Sequence, residues 1–234
     1  MPVYELSGDL AFPPLDHAEP DGLLAVGGDL SPERLLLAYR SGLFPWFNEG
    51  DPILWWSPDP RLVLFPDQLR VSRSLGKVLR HGGFEYSMNR DFEGVIRRCA
   101  TSSRPGQDEG TWISEDMIEA YTALHVLGRA HSVEVWRDQT LVGGLYGIHL
   151  GGCFFGESMF TLEANASKCG FVCLVRYLQR LGVTLIDCQV HTDHLERFGA
   201  VAISRREFVS ALDEVCDLAL RVPGEGIVLP FVDK

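Results

Sequence analysis

Between residues 131 and 160 three stretches rich in β-branched and aromatic residues, His131–Trp136, Leu141–His149 and Cys153–Phe160, follow one another with only short turns between them. Arg137-Asp138-Gln139-Thr140 and Gly151-Gly152 supply those turns and leave no room for a crossover, so the three predict an antiparallel meander. Helical periodicity stands on both sides of it. Upstream, 72–81, 91–100 and 114–127 predict helices, the last closed by Gly128. Downstream, 167–181 puts Phe171, Leu174, Val175 and Leu178 on one helical face, and the stretch 184–190 then predicts a strand. A capping box, Ser204 and Glu207, opens a last helix bearing Phe208, Leu212 and Val215. Helices, then a meander, then helix, strand and helix define an α+β chain with a mixed sheet flanked by helices.

Residues 1–60 read differently. They are rich in Pro and Gly, and predict one helix, capped by Ser31 with Pro32 at its first position and Gly42 just past its apolar run. Two prolines in Trp55-Trp56-Ser57-Pro58-Asp59-Pro60-Arg61 disfavour helix and central strand alike. The expected division is therefore a small N-terminal α+β domain, 1–60, and a larger domain, 61–234. By topology the larger part is similar to the acyltransferase fold of the N-acetyltransferases (GNAT-like). Enzymes of that fold hold the acetyl-coenzyme A pyrophosphate on a Gly-rich turn at a helix N-terminus. Here the corresponding turn, 161–166, has no glycine and carries Glu163, so no coenzyme is expected.

The net charge of −11 is unevenly spread: nine Lys or Arg face four acids between Arg61 and Arg104, and the remainder is strongly acidic. One basic face on an acidic protein fits a partner that is polyanionic at one end and cationic at the other. No basic-then-apolar leader or membrane-length apolar run is present, and the six cysteines form no CxxC pair, which predicts a cytoplasmic protein with reduced thiols. G-x-S-x-G and P-loop motifs are missing, and His191, Asp193 and His194 fall in one turn without a remote third ligand, so no metal is expected.

Within Leu185-Ile186-Asp187-Cys188-Gln189-Val190, period two puts Asp187 and Gln189 on one face, their Cα atoms roughly 7 Å apart. They can grip one ligand or line a solvated face. Glu157 is a lone carboxylate among aromatics, either a structural acid bonded to backbone or a group awaiting a cationic ligand. Trp46 and Trp112 belong to a set of indoles that can stack on bases or fill a core. Arg73, Lys77 and Arg80 share a helical face, which suits an RNA backbone or plain solvent.

Eight blocks sharpen these readings: GLLAVGGDLSP at 22–32, GLFPWF at 42–47, LWWSPDPR at 54–61, GTWI at 110–113, HSVEVW at 131–136, FGESMF at 155–160, NASK at 165–168 and LIDCQ at 185–189. In composition and order the chain closely resembles the bacterial leucyl/phenylalanyl-tRNA-protein transferases. The resemblance implies transfer of Leu or Phe from leucyl-tRNA or phenylalanyl-tRNA to proteins beginning with Arg or Lys, which marks them for degradation. It further implies that Asp187 and Gln189 form the polar pair at the reacting centre and Glu157 a further active-site acid. Trp46 and Trp112 become walls around the terminal adenosine, and Leu145, Met159 and Ile186 the pocket for the transferred side chain. Rival readings are an acetyl-coenzyme A-dependent N-acetyltransferase and a non-catalytic adaptor for basic N-termini.

Overall fold

The computed structural model describes residues 3–102, 113–223 and 226–229. Strands β1 (Tyr4–Leu6), β2 (Leu23–Gly27), β3 (Phe44–Pro45) and β4 (Leu54–Trp56) form a four-stranded sheet in the order β1-β2-β4-β3. Helix α1 (Pro32–Arg40) begins as its sequence dictates: the Ser31 hydroxyl accepts the Arg34 N–H and Pro32 takes the first helical position. Gly42, at φ 84°, then turns the chain back into β3, a conformation that disfavours any side chain.

After Pro58 and Pro60 the chain enters an eight-stranded sheet, ordered β11-β5-β10-β9-β8-β7-β6-β12. Its strands are β5 (Arg61–Leu64), β6 (Glu85–Met88), β7 (Ala130–Arg137), β8 (Thr140–Leu150), β9 (Cys153–Thr161), β10 (Leu185–Gln189), β11 (Val201–Ile203) and β12 (Ile227–Val228). The expected meander is β7-β8-β9, antiparallel throughout. Helix α5 (Ala166–Leu181) then carries the chain back across the sheet, so β10 lies parallel to β9. The mixed sheet thus follows from one helical crossover inserted after a meander.

Two apolar layers cover this sheet. On one face α2 (Arg73–His81) and α5 bury Leu75, Leu79, Phe171, Leu174 and Leu178 against Val133, Leu145, Phe154 and Ile186. On the other, α1, α3 (Phe92–Thr101), α4 (Glu115–Val126) and α7 (Arg205–Val215), which follows the short α6 (Asp193–Glu196), pack on Tyr146, Ile148, Phe155 and Leu185. That second layer also contains Leu24 and Trp55, so the apolar core is continuous between the two sheets.

Two histidines at one end of the meander are buried. Burial first, then the neighbouring His149 and His125, holds His131 down at about 3, and burial holds His149 at about 4. Both are neutral in the folded protein, whereas in the unfolded chain they titrate near ~6.5. Their contribution to stability is therefore complete above that pH and lost as acid protonates the unfolded state first. The melting temperature of a His149→Gln variant is expected to fall less steeply than that of the parent between pH 6.5 and 4; parallel thermal melts across that range check it, and equal slopes would refute it.

Candidate active site

Two β-bulges at the parting of β9 and β10 build the site. On β9, Tyr146 pairs with Ser158 and Gly147 with Gly156, so Glu157 is an extra residue without a partner on β8. Gly147 permits this, since a Cβ there would lie 2.1 Å from the Phe155 carbonyl oxygen. On β10, Asp187 pairs with Val63 and Gln189 with Leu62, leaving Cys188 extra and Gln189 at φ 64°. The β9–β10 ladder ends at Phe155 and Asp187. Beyond that point side chains bridge the gap: Gln189 Nε2 donates to Glu157 Oε1 at 3.0 Å.

Glu157 is half-buried and ringed by donors. Tyr39 donates to its Oε1 at 2.8 Å and Tyr121 to its Oε2 at 3.2 Å, while the two phenol oxygens also share a short hydrogen bond with each other. Desolvation is the dominant cause of the raised pKa of Glu157, about 7; Asp187 adds to it, and the bonds from Tyr39, Tyr121 and Gln189 oppose it. The phenols are pushed well above their ordinary range by burial and by Glu157, so they remain protonated donors.

Asp187 is fully buried, which rules out the solvated face left open by its sequence pattern. Arg61, also fully buried, grips it bidentately, Nε to Oδ1 at 2.8 Å and Nη2 to Oδ2 at 2.6 Å. The guanidinium lies 4.7 Å from the centroids of both Phe44 and Phe208, and its Nη1 donates to the Gly42 carbonyl at 3.3 Å. Asp187 Oδ1 in turn accepts the Gln189 backbone N–H at 2.9 Å. Asp187 therefore fixes the backbone of Gln189, and Glu157 fixes its side chain. Because the Gln189 amide nitrogen faces Glu157, its carbonyl oxygen points away, available to accept.

The other expected residues divide by position. Leu145 and Met159 are direct cross-strand partners, and Ile186 joins them in the apolar layer beneath α5. All three lie on the sheet face opposite Glu157 and Asp187. Trp46 is 43% exposed, its backbone carbonyl held by the Trp56 indole N–H at 2.7 Å and its ring 5.9 Å from that indole. Trp112 lies outside the described residues, as does Arg104 at the end of the basic stretch. Arg73, Lys77 and Arg80 are all exposed on α2, opposite buried Leu75 and Leu79.

Sequence reading missed Tyr39, Tyr121 and Arg61. The tyrosines sit at apolar helical positions and looked like core; Arg61, a cation heading the apolar run Leu62-Val63-Leu64, was the one legible signal.

The candidate site is therefore the point where the central parallel strands of a mixed sheet part and a hydrogen-bonded acid and amide bridge the gap. Comparison with known proteins gives the family. The leucyl/phenylalanyl-tRNA protein transferase model matches residues 63–213, and the model of that family's N-terminal domain matches 28–59. A leucyl/phenylalanyl-tRNA–protein transferase of Anaeromyxobacter sp. (strain Fw109-5) is 58% identical over 217 residues, 93% of this chain and 92% of the relative. That of Pseudomonas aeruginosa PAO1 is 59% identical over 211 residues, 89% of this chain and 92% of the relative. The chain belongs to the leucyl/phenylalanyl-tRNA–protein transferase family, and its activity is aminoacyl transfer from tRNA to protein. Solved structures align more loosely: L-PGS from Bacillus licheniformis is 11% identical with a TM-score of 0.40, over 73% of this chain and 54% of that one. Among the described residues no helix is long and apolar enough to cross a membrane.

Proposed function

We propose that this chain moves Leu or Phe from charged tRNA onto the α-amino group of cytoplasmic proteins that begin with Arg or Lys, marking them for degradation. The Glu157–Gln189 bridge across the parting of β9 and β10 carries the reading, because it presents an acceptor oxygen and an acid of pKa about 7 at a gap in the sheet whose opposite face is apolar.

The donor is an already activated ester, so holding amine and carbonyl together supplies most of what is needed, roughly 7 to 11 kcal/mol. The acceptor's amine nitrogen bonds to the ester carbonyl carbon, the ribose 3′ C–O bond to that carbon breaks, and the amine proton ends on the ribose oxygen. The Gln189 carbonyl oxygen accepts a hydrogen bond from the attacking amine. Glu157 takes the proton that the arriving α-ammonium, of pKa near ~8, must shed; an acid near 7 is well matched to that task. Asp187 and Arg61 position Gln189 from below.

The assigned division of labour follows residues 1–60 and 61–234. Trp46, with Trp112, walls the terminal adenosine, and Arg73, Lys77 and Arg80 meet the tRNA backbone. Leu145, Met159 and Ile186 receive the transferred side chain through the gap between the strands. That pocket accepts unbranched or γ-branched apolar groups and disfavours Val and Ile. Leu145→Phe, which narrows it, is expected to reduce phenylalanyl transfer at least several-fold more than leucyl transfer; kcat/KM with the two charged tRNAs checks this, and equal losses would move the pocket elsewhere.

The deciding experiment offers labelled leucyl-tRNA to proteins that differ only in N-terminal Arg or Ala, with an arm given acetyl-coenzyme A as the only donor. Transfer to the Arg protein alone, without coenzyme, is expected. Modification from acetyl-coenzyme A would establish the acetyltransferase instead, and equal transfer to both proteins would remove the Arg/Lys rule.

A further inference from the structure

A cavity of about 260 Å³ opens where the short helix Asp193–Glu196 and the turn after it, the N-terminus of α5 and the N-terminal half of α2 converge. Arg70, Lys168, His194 and Arg197 line it together with the hydroxyl-bearing Ser72 and Ser74, and no carboxylate is among its lining residues. On a protein of net charge −11 this is a local inversion of sign. Burial, then Lys168 and Arg197, hold His194 below its ordinary pKa, while its Nε2 is buried without a hydrogen-bond partner.

The two helices reaching the cavity share a second feature. Every other α-helix among the described residues has an acid in its first turn, as the helix dipole favours; α2 and α5 have none. Instead α2 begins with Arg73 and α5 carries Lys168 in its first turn, and Asn165 gives α5 no side-chain cap. Cations at two helix N-termini oppose both dipoles, and an anion seated between them relieves both. Cavity, cationic lining and two helix N-termini without an acid therefore converge on one ligand chemistry, a phosphate group.

We infer that this cavity is a phosphate-binding site that seats a backbone phosphodiester of the donor tRNA near its 3′ end. The inference rests on the proposed use of charged tRNA. Thr161, at the end of β9, lies four residues beyond Glu157, roughly 13 Å along the strand, and α5 begins just after it. A single strand whose terminal ester sits at the parted strands therefore passes the cavity within its last few nucleotides. Exposed Arg73 and Lys77 on α2 continue the cationic surface outward, toward the rest of the tRNA.

The test compares two donors, leucyl-tRNA and 3′-leucyl-adenosine, which has the ester and the adenosine but no phosphate. For the double variant Lys168→Ala/Arg197→Ala, the fall in kcat/KM with leucyl-tRNA is expected to exceed the fall with leucyl-adenosine by tenfold or more, carried by KM. The slope of log affinity for tRNA against log salt should drop by about one to two. Lys168→Arg/Arg197→Lys, which keeps both charges, is expected to restore most of the difference. Equal losses with both donors, or none with tRNA, would overturn the inference. Saturable binding of inorganic phosphate to the parent, followed by 31P line broadening, combined with an unaltered tRNA KM in the variant, would reassign the cavity to a free anion and overturn it as well. Failure of the tRNA reading itself is distinguishable, because the unsubstituted protein would then transfer from neither donor.

Discussion

Glu157→Gln lowers leucyl transfer by about 10²- to 10⁴-fold, the range expected when a positioned acid–base group is removed, while the tRNA KM changes little. The substitution keeps the size of the side chain and an oxygen to accept from Gln189, but removes the proton acceptor. The pH dependence is the more diagnostic reading. Glu157, raised to about 7, is active as the carboxylate, so the parent's kcat/KM rises with pH through about 7 and then levels as the acceptor amine deprotonates near ~8. The Gln variant retains only the limb near ~8. A parent-like limb at 7 in that variant would assign the titration to another group. The same shift predicts a change in stability. A carboxyl whose folded pKa is raised above the unfolded value, here from 4.5 to about 7, makes the protein less stable as pH rises between those values. Glu157→Gln removes that loss, so its melting temperature declines less from pH 5 to 7.

Breaking the buried Arg61–Asp187 pair has a large effect of a different kind. Asp187→Asn or Arg61→Met leaves one charge enclosed without its partner, at a cost of about 3 to 5 kcal/mol. Removing both charges, as Arg61→Met/Asp187→Leu, recovers much of that stability, because a well-packed apolar pair replaces the ions between the rings of Phe44 and Phe208. Recovery stays incomplete by about 1 to 3 kcal/mol, since the Gln189 N–H loses its acceptor. Transfer activity is not expected to recover with stability, because nothing then holds Gln189 at its positive φ. Denaturant midpoints for the three variants beside transfer rates under conditions where each is folded make the comparison. A stable double variant with parental activity would show that Asp187 serves only folding.

The centre of the large sheet was legible from residues 131–190, because a meander leaves no alternative to antiparallel pairing; the flanking strands β5, β6, β11 and β12, only two to four residues long, were not. Cap chemistry gave helix starts within a residue, at Ser31, Ser72, Ser114 and Ser204. At Asp187 and Gln189 period two could not give the partners: a bulge inserts Cys188, the acid pairs with Arg61 and the amide with Glu157. A bulge is set by the partner strand, and no periodicity within β10 could announce it.

By itself, then, the sequence determined the main helices, the central meander, the family and the polar residues Glu157, Asp187 and Gln189, because local propensity, capping and composition are properties of neighbouring residues. Tertiary structure alone decided what each polar residue does. Tyr39, Tyr121, Glu157 and Gln189 meet across separations of up to 150 residues, and Arg61 reaches Asp187 across 126. The raised pKa of Glu157 and the fixed orientation of Gln189 arise from burial and from donors on four different elements, quantities that exist only once the chain has folded.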